Sequence, residues 1–289
     1  MKTRTKIRKS LPNKQQGWIA AALGLMIVVS GCGTGGEPTA QASGGGESQA
    51  GVQTIVVGTG TAFPQVCFLD ENGKLTGFDV ELLRKIDERL PEYAFEFQTM
   101  DFGNLLLSLE TNKIDLVAHV MEKNTEREQK YAFSSEPYAH WRNRIVVAKT
   151  NETIKTLDDL QGKKVLTSAT SAEAQIVENY NKEHDAKIDI VYQSGQANDT
   201  VSQLVSGRVD ATIAADFVVP VIDPTGKLKQ VGEELTSDDV LYVLRKGDAD
   251  SAKLSAAIDG AVKQLKEDGT LSDLSVEWLG SDVTADHAK

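Results

Sequence analysis

After residue 52, short aliphatic runs alternate with amphipathic segments, and the same order occurs twice. The strand-like runs of the first half are 54–58, 93–98 and 113–120, and helix-like segments lie at 79–90 and 102–112. In the second half, strand-like runs at 163–168, 187–193 and 208–214 alternate with helices over 171–181 and near 197–206. Two βαβαβ halves predict an α/β protein with two lobes, each a mostly parallel sheet flanked by helices.

An N-terminal leader precedes this body. A basic segment without an acid is followed by an uncharged run over 18–29, which is too short to cross a bilayer as a helix. Small residues and Cys32 come next, and this order predicts an export signal over residues 1–31. The sequence VSGC resembles the bacterial lipobox, which implies that a lipid is attached to Cys32. An ordinary secretory signal is the alternative.

A tether is predicted to join the leader to the body. Residues 33–52 are rich in Gly, Ser, Thr and Gln and have only small apolar groups, so no core can form there. With the lipidated Cys32, the segment 32–52 is expected to behave as a flexible coil about 25 Å in span. Cys67 is the only other cysteine, so the body cannot contain an internal disulfide.

The charge of the body excludes some partners. Without the six basic residues of the leader, the tether and the body together have 25 Lys and Arg against 42 Asp and Glu, a formal charge of −17. So acidic a chain is a poor nucleic-acid binder and has no reason to lie flat on an anionic membrane. We expect no nucleic acid among its partners.

The segments after the predicted strands are the places where a ligand site is expected. Parallel sheets bind ligands beyond the carboxyl ends of their strands, and two such lobes predict a cleft between them. The segments that follow strands are 58–64, 118–127, 168–173 and 214–217. Arg127, in the sequence NTER, therefore lies where the cleft is predicted.

Competing chemistries fail on their spacing. GTGTAF has two glycines of a dinucleotide fingerprint, but Phe63 stands where close packing requires Gly or Ala. The four histidines show no metal-ligand spacing, so neither a metal nor a cofactor is expected. Cys67 and His119 could form a nucleophile–base pair, yet VCFLD is typical of a strand with a buried, inert thiol.

Several motifs together resemble one family. They are GKLTGFDVELL (73–83), NKIDLVAHVMEKNTERE (112–128) with YAFSSEPY after it, LQGKKVLTSATSAE (160–173), SGRVDATIAAD (206–216) and LKEDGTLSDLSVEWLG (265–280). On these motifs the chain resembles the type II periplasmic binding fold, specifically the polar amino-acid-binding proteins of ABC importers, over residues 54 to about 282. The resemblance implies a ligand cleft between the two lobes, with lobe 1 at 53–140 plus 242–282, lobe 2 at 141–241 and a tail at 283–289. It also implies closure about linking segments near 139–145 and 236–243.

The resemblance also implies roles for individual residues. Arg127 looks like the family's carboxylate-binding arginine, whose planar fork suits a bidentate contact. Phe63 matches the aromatic residue that covers the ligand side chain, although a core Phe is the alternative. Thr170 and Ser171 match the hydroxyl and N–H donors to the same carboxylate, although Ser or Thr at a helix start is equally a plain N-cap.

Two departures from the family pattern concern ligand choice. Where many members carry small hydroxyl residues, this chain has His119, Met121 and Glu122. The acid that takes the ligand's ammonium group usually lies at the position of Ala215, so either Asp216 serves after a one-residue shift or Glu122 replaces it. Asp216 is favoured here.

We therefore predict a lipid-anchored, monomeric binding protein on the extracellular face of the cell membrane, with ABC permease subunits as partners. The run from 89 to 128 resembles members assigned to cystine uptake, and Met121 could lie against sulfur. Cystine, or a similar sulfur-containing amino acid, is the predicted ligand. The alternative for these residues is that Met121 is part of the core and Glu122 is solvated. A basic amino acid such as arginine is the second candidate, and an enzyme of the same fold, similar to a cyclic-acid dehydratase, is the third.

Overall fold

The computed structural model describes residues 51–193 and 198–285, without the side chain of Asn198. The predicted leader, Cys32, most of the tether and the end of the tail therefore lie outside the described residues. The strands are β1 (Gln53–Thr59), β2 (Ala62–Phe63), β3 (Cys67–Leu69), β4 (Leu75–Thr76), β5 (Tyr93–Thr99), β6 (Leu116–Val117), β7 (Tyr131–Phe133), β8 (Ala139–Ala148), β9 (Lys164–Ser168), β10 (Asp189–Gln193), β11 (Ala211–Ala215), β12 (Leu228–Val240) and β13 (Val243–Arg245). The helices are α1 (Phe78–Asp87), α2 (Phe102–Glu110), α3 (Thr125–Lys130), α4 (Ala172–Glu183), α5 (Asn198–Val205), α6 (Val218–Ile222), α7 (Ala249–Glu267) and α8 (Thr270–Leu279), with a 3₁₀ turn at Asp158–Leu160.

The strands form two five-stranded sheets that share one plan. The first has the order β5-β1-β6-β13-β7 and the second β10-β9-β11-β8-β12, while β2, β3 and β4 make a small separate sheet. In each large sheet the first three strands are parallel and the last two pair antiparallel. The predicted α/β class with two lobes is confirmed. The sheets are mixed rather than mostly parallel. Strand β8 enters the second lobe antiparallel to β11, and strand β13 returns to the first lobe antiparallel to β6.

Helices cover both faces of each sheet. Leu83 of α1 and Ile258 of α7 are fully buried on one face of the first sheet, and Leu105 of α2 is buried on the other. Val177 of α4 and Leu204 of α5 cover the two faces of the second sheet in the same way. Each lobe is thus a three-layer unit, which is why its central strands β6 and β11 are buried along their whole length. Among the described residues, none of the helices has both the length and the apolar character needed to cross a lipid bilayer.

Two strands connect the lobes. The segments predicted as linkers near 139–145 and 236–243 lie largely in β8 and β12, which pair antiparallel from Ala139↔Val240 to Ala148↔Leu228. The pairing is irregular between Val231 and Thr236. Both passages of the chain between the two large sheets are therefore hydrogen-bonded to each other.

Two predicted elements are shorter in the structure. The helix predicted over 79–90 ends at Asp87 because Leu90 precedes Pro91 and a residue before proline disfavours the helical region. The strand predicted over 113–120 is confined to Leu116–Val117. The chain leaves the sheet after Ala118 because Val120 adopts a left-handed backbone with φ 44°.

Candidate functional site

A cavity of about 440 Å³ lies at the carboxyl ends of the parallel strands of both sheets. Its walls come from the segments that follow β1, β5 and β6 in the first lobe and β9 and β11 in the second. The size is typical of small-molecule sites, and the position is the one expected for α/β sheets. Six of the residues proposed from the sequence line this cavity: Phe63, His119, Met121, Glu122, Arg127 and Ser171.

Arg127 extends from the first lobe to the second. It lies on α3, whose first turn is fixed by Asn124 Oδ1, which accepts from the Arg127 backbone N–H at 2.8 Å. Its Nη1 donates to the backbone oxygen of Glu122 at 2.6 Å and its Nη2 to the backbone oxygen of Thr170 at 2.8 Å. Burial lowers the pKa of Arg127 from its ordinary value, and the Glu122 carboxyl opposes this effect. The guanidinium keeps three further N–H donors for a ligand carboxylate.

Glu122 is a buried carboxyl group in the same wall. Trp141 Nε1 donates to its Oε1 at 2.6 Å, and Asn143 Nδ2 donates to Oε1 at 3.1 Å and Oε2 at 3.2 Å. Burial, and after it the nearby Glu173 carboxylate, raise the pKa of Glu122 to about 8. At pH 7 the Glu122 carboxyl group is therefore mostly neutral.

Aromatic rings from both lobes form an apolar wall. The ring of His119 lies 4.9 Å from that of Phe102 and 6.1 Å from that of Phe63, measured between centroids. Phe63 lies in turn 6.3 Å from Phe217 of the second lobe. Burial lowers the pKa of His119, so this imidazole is neutral at pH 7. Gly60 is required beside it, because a Cβ there would lie 2.7 Å from His119 Nε2.

A buried aspartate fixes the loop that carries His119, Met121 and Glu122. Asp79, fully buried at the start of α1, accepts a hydrogen bond from the Val120 N–H through Oδ2 at 2.6 Å. Val120 has φ 44°, a conformation that is strained for a β-branched residue. Burial raises the pKa of Asp79 to about 6, although the Val120 N–H opposes the shift. Asp79 is thus part of the support for the cavity wall.

The two donors proposed after β9 differ in position. Ser171 lines the cavity, but its Oγ caps α4 by accepting from the Ala174 N–H at 3.1 Å. Thr170 is not among the lining residues, and it adopts φ 65° with its carbonyl oxygen directed to Arg127. Ser171 is therefore an N-cap, as the alternative interpretation has it. The contact of Thr170 with Arg127 is made by its backbone oxygen and not by its hydroxyl group.

Asp216 also lies outside the cavity lining. Ala215 and Phe217 on either side of it line the cavity, whereas the Asp216 carboxylate accepts from the Phe217 N–H at 3.1 Å. The predicted one-residue shift, which would bring Asp216 to the ligand, does not occur in this structure.

Sequence reasoning missed several lining residues. Glu173 ends the segment SATSAE (168–173) that follows β9, and an acidic residue at that place could have indicated a partner for a ligand's ammonium group. Phe102 and Phe217 each follow a strand, so the strand-end rule could have found them. Trp141, which lines the cavity, and Asn143, which does not, gave no local signal, because their contact with Glu122 comes from tertiary structure alone.

Fold and site together define a protein class. The chain has a cavity of small-molecule size between two α/β lobes, with a buried arginine and several acids in its wall, and this is the arrangement of a solute-binding protein. Residues 55–281 match the family model of bacterial extracellular solute-binding proteins, family 3. The chain belongs to that family.

The similar proteins carry consistent names. The L-cystine-binding protein TcyK of Bacillus subtilis strain 168 is 44% identical over 92% of this chain and 96% of its own length. TcyJ of the same strain, also named an L-cystine-binding protein, is 44% identical over 83% of this chain and 91% of its own. A solved structure described as a putative L-cystine ABC transporter from Listeria monocytogenes has a TM-score of 0.77 and 48% identity, covering 81% of this chain and 99% of that chain.

Proposed function

We propose that this protein captures L-cystine outside the cell and delivers it to the permease subunits of an ABC importer. The observation that carries the proposal is the 44% identity, over nearly the whole chain, to a protein named for L-cystine binding. The cavity provides the chemistry for such a ligand, which has a zwitterion at each end and a disulfide between them. Arg127 takes one carboxylate, and the apolar wall of Phe63, Met121 and Phe102 takes the disulfide.

The remaining proposed roles follow from the positions of the side chains. His119 is a neutral wall residue that packs against Phe63 and Phe102. Ser171 orients the start of α4 beside the ligand carboxylate, and Thr170 positions Arg127 through its carbonyl oxygen. Asp216 has no direct role in ligand binding. An enzyme of the dehydratase type is not favoured, since both curated relatives described above are named binding proteins.

Ligand choice can be measured by thermal and calorimetric titration of the body (residues 53–289). L-Cystine at a thousandfold excess over its dissociation constant should add about 4 kcal/mol to the free energy of unfolding. For a body of this size the melting temperature should rise by roughly 8 to 16 °C. L-Cystathionine, which has a thioether in place of the disulfide, is the matched ligand control. L-Cysteine, methionine, histidine, glutamine and arginine complete the panel.

Arginine is the informative competitor, because the acids Asp101, Glu122 and Glu173 line the cavity and would attract a cation. The cystine proposal predicts that arginine and glutamine bind more weakly than L-cystine. If either of them binds at least tenfold tighter, a difference of about 1.4 kcal/mol, the ligand is not cystine.

We also propose that the protein acts as a monomer held at the outer face of the cell membrane by a lipid on Cys32. Replacing Cys32 by alanine should prevent acylation and either release the protein or leave it held by the uncleaved leader. Mass spectrometry of membrane-extracted protein reports the modification. Cys67→Ala is the control, since Cys67 is fully buried and burial raises the pKa of its thiol to about 12. An unmodified Cys32 in wild-type protein would rule out the anchor.

A further inference from the structure

The ligand's ammonium group needs an acceptor close to Arg127. An α-amino acid carries its carboxylate and its ammonium group on one carbon atom, so their partners in the protein must be near neighbours. Arg127 Nη1 donates to the backbone oxygen of Glu122 at 2.6 Å, and both residues line the cavity. Asp216 lies outside the lining, Asp101 is exposed at the start of α2, and Glu173 is a half-buried lining residue on α4 of the second lobe. Among the lining acids of the described residues, Glu122 is the buried one and directly adjoins Arg127, so it lies close to the ammonium group of a ligand bound to that arginine.

The hydrogen-bond donors to the Glu122 carboxyl group are neutral. Both come from β8, where Trp141 Nε1 and Asn143 Nδ2 approach it at 2.6 and 3.1 Å. Asn143 Nδ2 also donates to Thr236 Oγ1 of β12 at 3.0 Å, so the amide is held in place from a second strand. Glu122 is only 4% exposed, so water does not replace a missing counter-charge.

Among the described residues, the charged groups that act on Glu122 are the cation Arg127 and the acids Glu173 and Asp238. Glu173 of α4 and Asp238 of β12 both raise the pKa of the Glu122 carboxyl. Arg127 of α3 is the cation, and its Nη1 and Nη2 are directed to backbone carbonyl oxygens rather than to this carboxyl group. The surroundings therefore favour the neutral form until a further positive charge enters the cavity.

We propose that Glu122 accepts the ligand's ammonium group and releases its own proton to solvent when the ligand binds. This rests on the proposed function in one respect, that the ligand is an α-amino acid. The ammonium group keeps its three protons and donates one of them in a hydrogen bond to the Glu122 carboxylate. The proton that leaves Glu122 passes to water or buffer. The negative charge that it leaves on the carboxylate is matched by the positive charge of the ammonium group. Capture is thereby coupled to proton release, and affinity increases as pH rises.

The coupling has a measurable size. With its pKa raised to about 8, Glu122 is protonated in about nine tenths of the molecules at pH 7. Isothermal titration with L-cystine in two buffers of different ionisation enthalpy counts the protons exchanged. Wild-type protein should release close to one proton per ligand at pH 7. Its dissociation constant should fall by about tenfold per pH unit between pH 6 and pH 7, since only the ionised carboxyl group binds the ammonium group.

Two variants separate Glu122 from other titrating groups. Glu122→Gln keeps an acceptor for Trp141 and should abolish the proton release and the pH dependence, with at least tenfold weaker binding at pH 8. Glu128→Gln on the exposed side of α3 is the matched control and should behave as wild type. Asp79, whose pKa is raised to about 6 by burial, is already ionised at pH 7 and contributes little to the count there.

The outcomes distinguish this inference from the proposed function. If L-cystine binds wild-type protein at pH 7 without release of a proton, or if Glu122→Gln releases the same number, the inference is wrong and the cystine proposal stands. If L-cystine does not bind but another amino acid of the panel does, the cystine proposal fails. The proton count with that amino acid then decides the role of Glu122. Because the wild-type count is sufficient on its own, a variant that fails to fold does not prevent the decision.

Discussion

Replacing Arg127 by alanine is expected to weaken the binding of L-cystine by roughly 3 to 5 kcal/mol. Arg127 is 6% exposed and already largely desolvated, so it contacts a ligand carboxylate with little further loss of hydration. In the variant, that carboxylate would enter the cavity without the Arg127 guanidinium as its partner, and most of the cost comes from burying it unpaired. Isothermal titration of both proteins measures the difference.

Two further arginine variants test the reason for the loss. Arg127→Lys keeps the charge but not the planar fork, so it should recover only part of the affinity. Arg142→Ala on β8 is the matched control, because Arg142 pairs with Glu234 at 3.3 Å at the surface, where such pairs contribute at most about 1 kcal/mol. Circular dichroism must show that each variant is folded. Near-equal affinity of wild type and Arg127→Ala would remove Arg127 from the ligand site.

Replacing Gly77 by alanine is expected to reduce the free energy of unfolding by roughly 3 kcal/mol or more. Gly77 precedes α1 with φ 117° and ψ 171°, a region that is open to glycine almost alone. A Cβ there would also lie 2.5 Å from the backbone oxygen of Val66 and 3.0 Å from the backbone nitrogen of Cys67. Because these are backbone atoms, the start of strand β3 at Cys67 would have to move.

Gly73→Ala is the matched control for this substitution. Gly73 also has positive φ, at 77°, but a Cβ there would meet nothing within 4 Å. Only the backbone conformation is strained in that variant, and about 1 kcal/mol should be lost. Urea unfolding curves of the two variants measure the difference. If both variants lose the same free energy of unfolding, the close contact of the new Cβ with the backbone of Val66 and Cys67 does not destabilise the protein further.

Much of the fold was predictable because its pattern is local. The alternation of aliphatic and amphipathic runs gave both βαβαβ halves, and the strand-end rule placed Arg127 beside the cavity. The mixed pairing was not predictable from the same pattern, since β13 joins β6 and β7 from a distant part of the sequence. Periodicity reports which face of a segment is buried but does not report its neighbours.

The candidate site was predictable only in part, for the same reason. Phe63, His119, Met121 and Glu122 follow strands, and they line the cavity as expected. The state of Glu122 depends on Trp141, 19 positions away on β8, and on burial, neither of which is visible in the spacing of residues. Asp216 shows the same limit, because Ala215 and Phe217 on either side of it line the cavity and it does not, a difference that residue spacing does not predict.

The place of β13 in the first sheet also means that the second lobe can be completed before the first. Val243 pairs with Phe133, roughly 110 positions earlier, so the first lobe cannot complete its sheet until the chain has passed through the whole second lobe. The second lobe is built from one uninterrupted segment, and pairing of Ala139 with Val240 brings the two ends of that segment together. Once it has folded, β13 emerges beside β7 and little loop entropy remains to be lost. A chain that ends before β13 would therefore contain a finished second lobe and a first lobe with open strand edges, which favours aggregation.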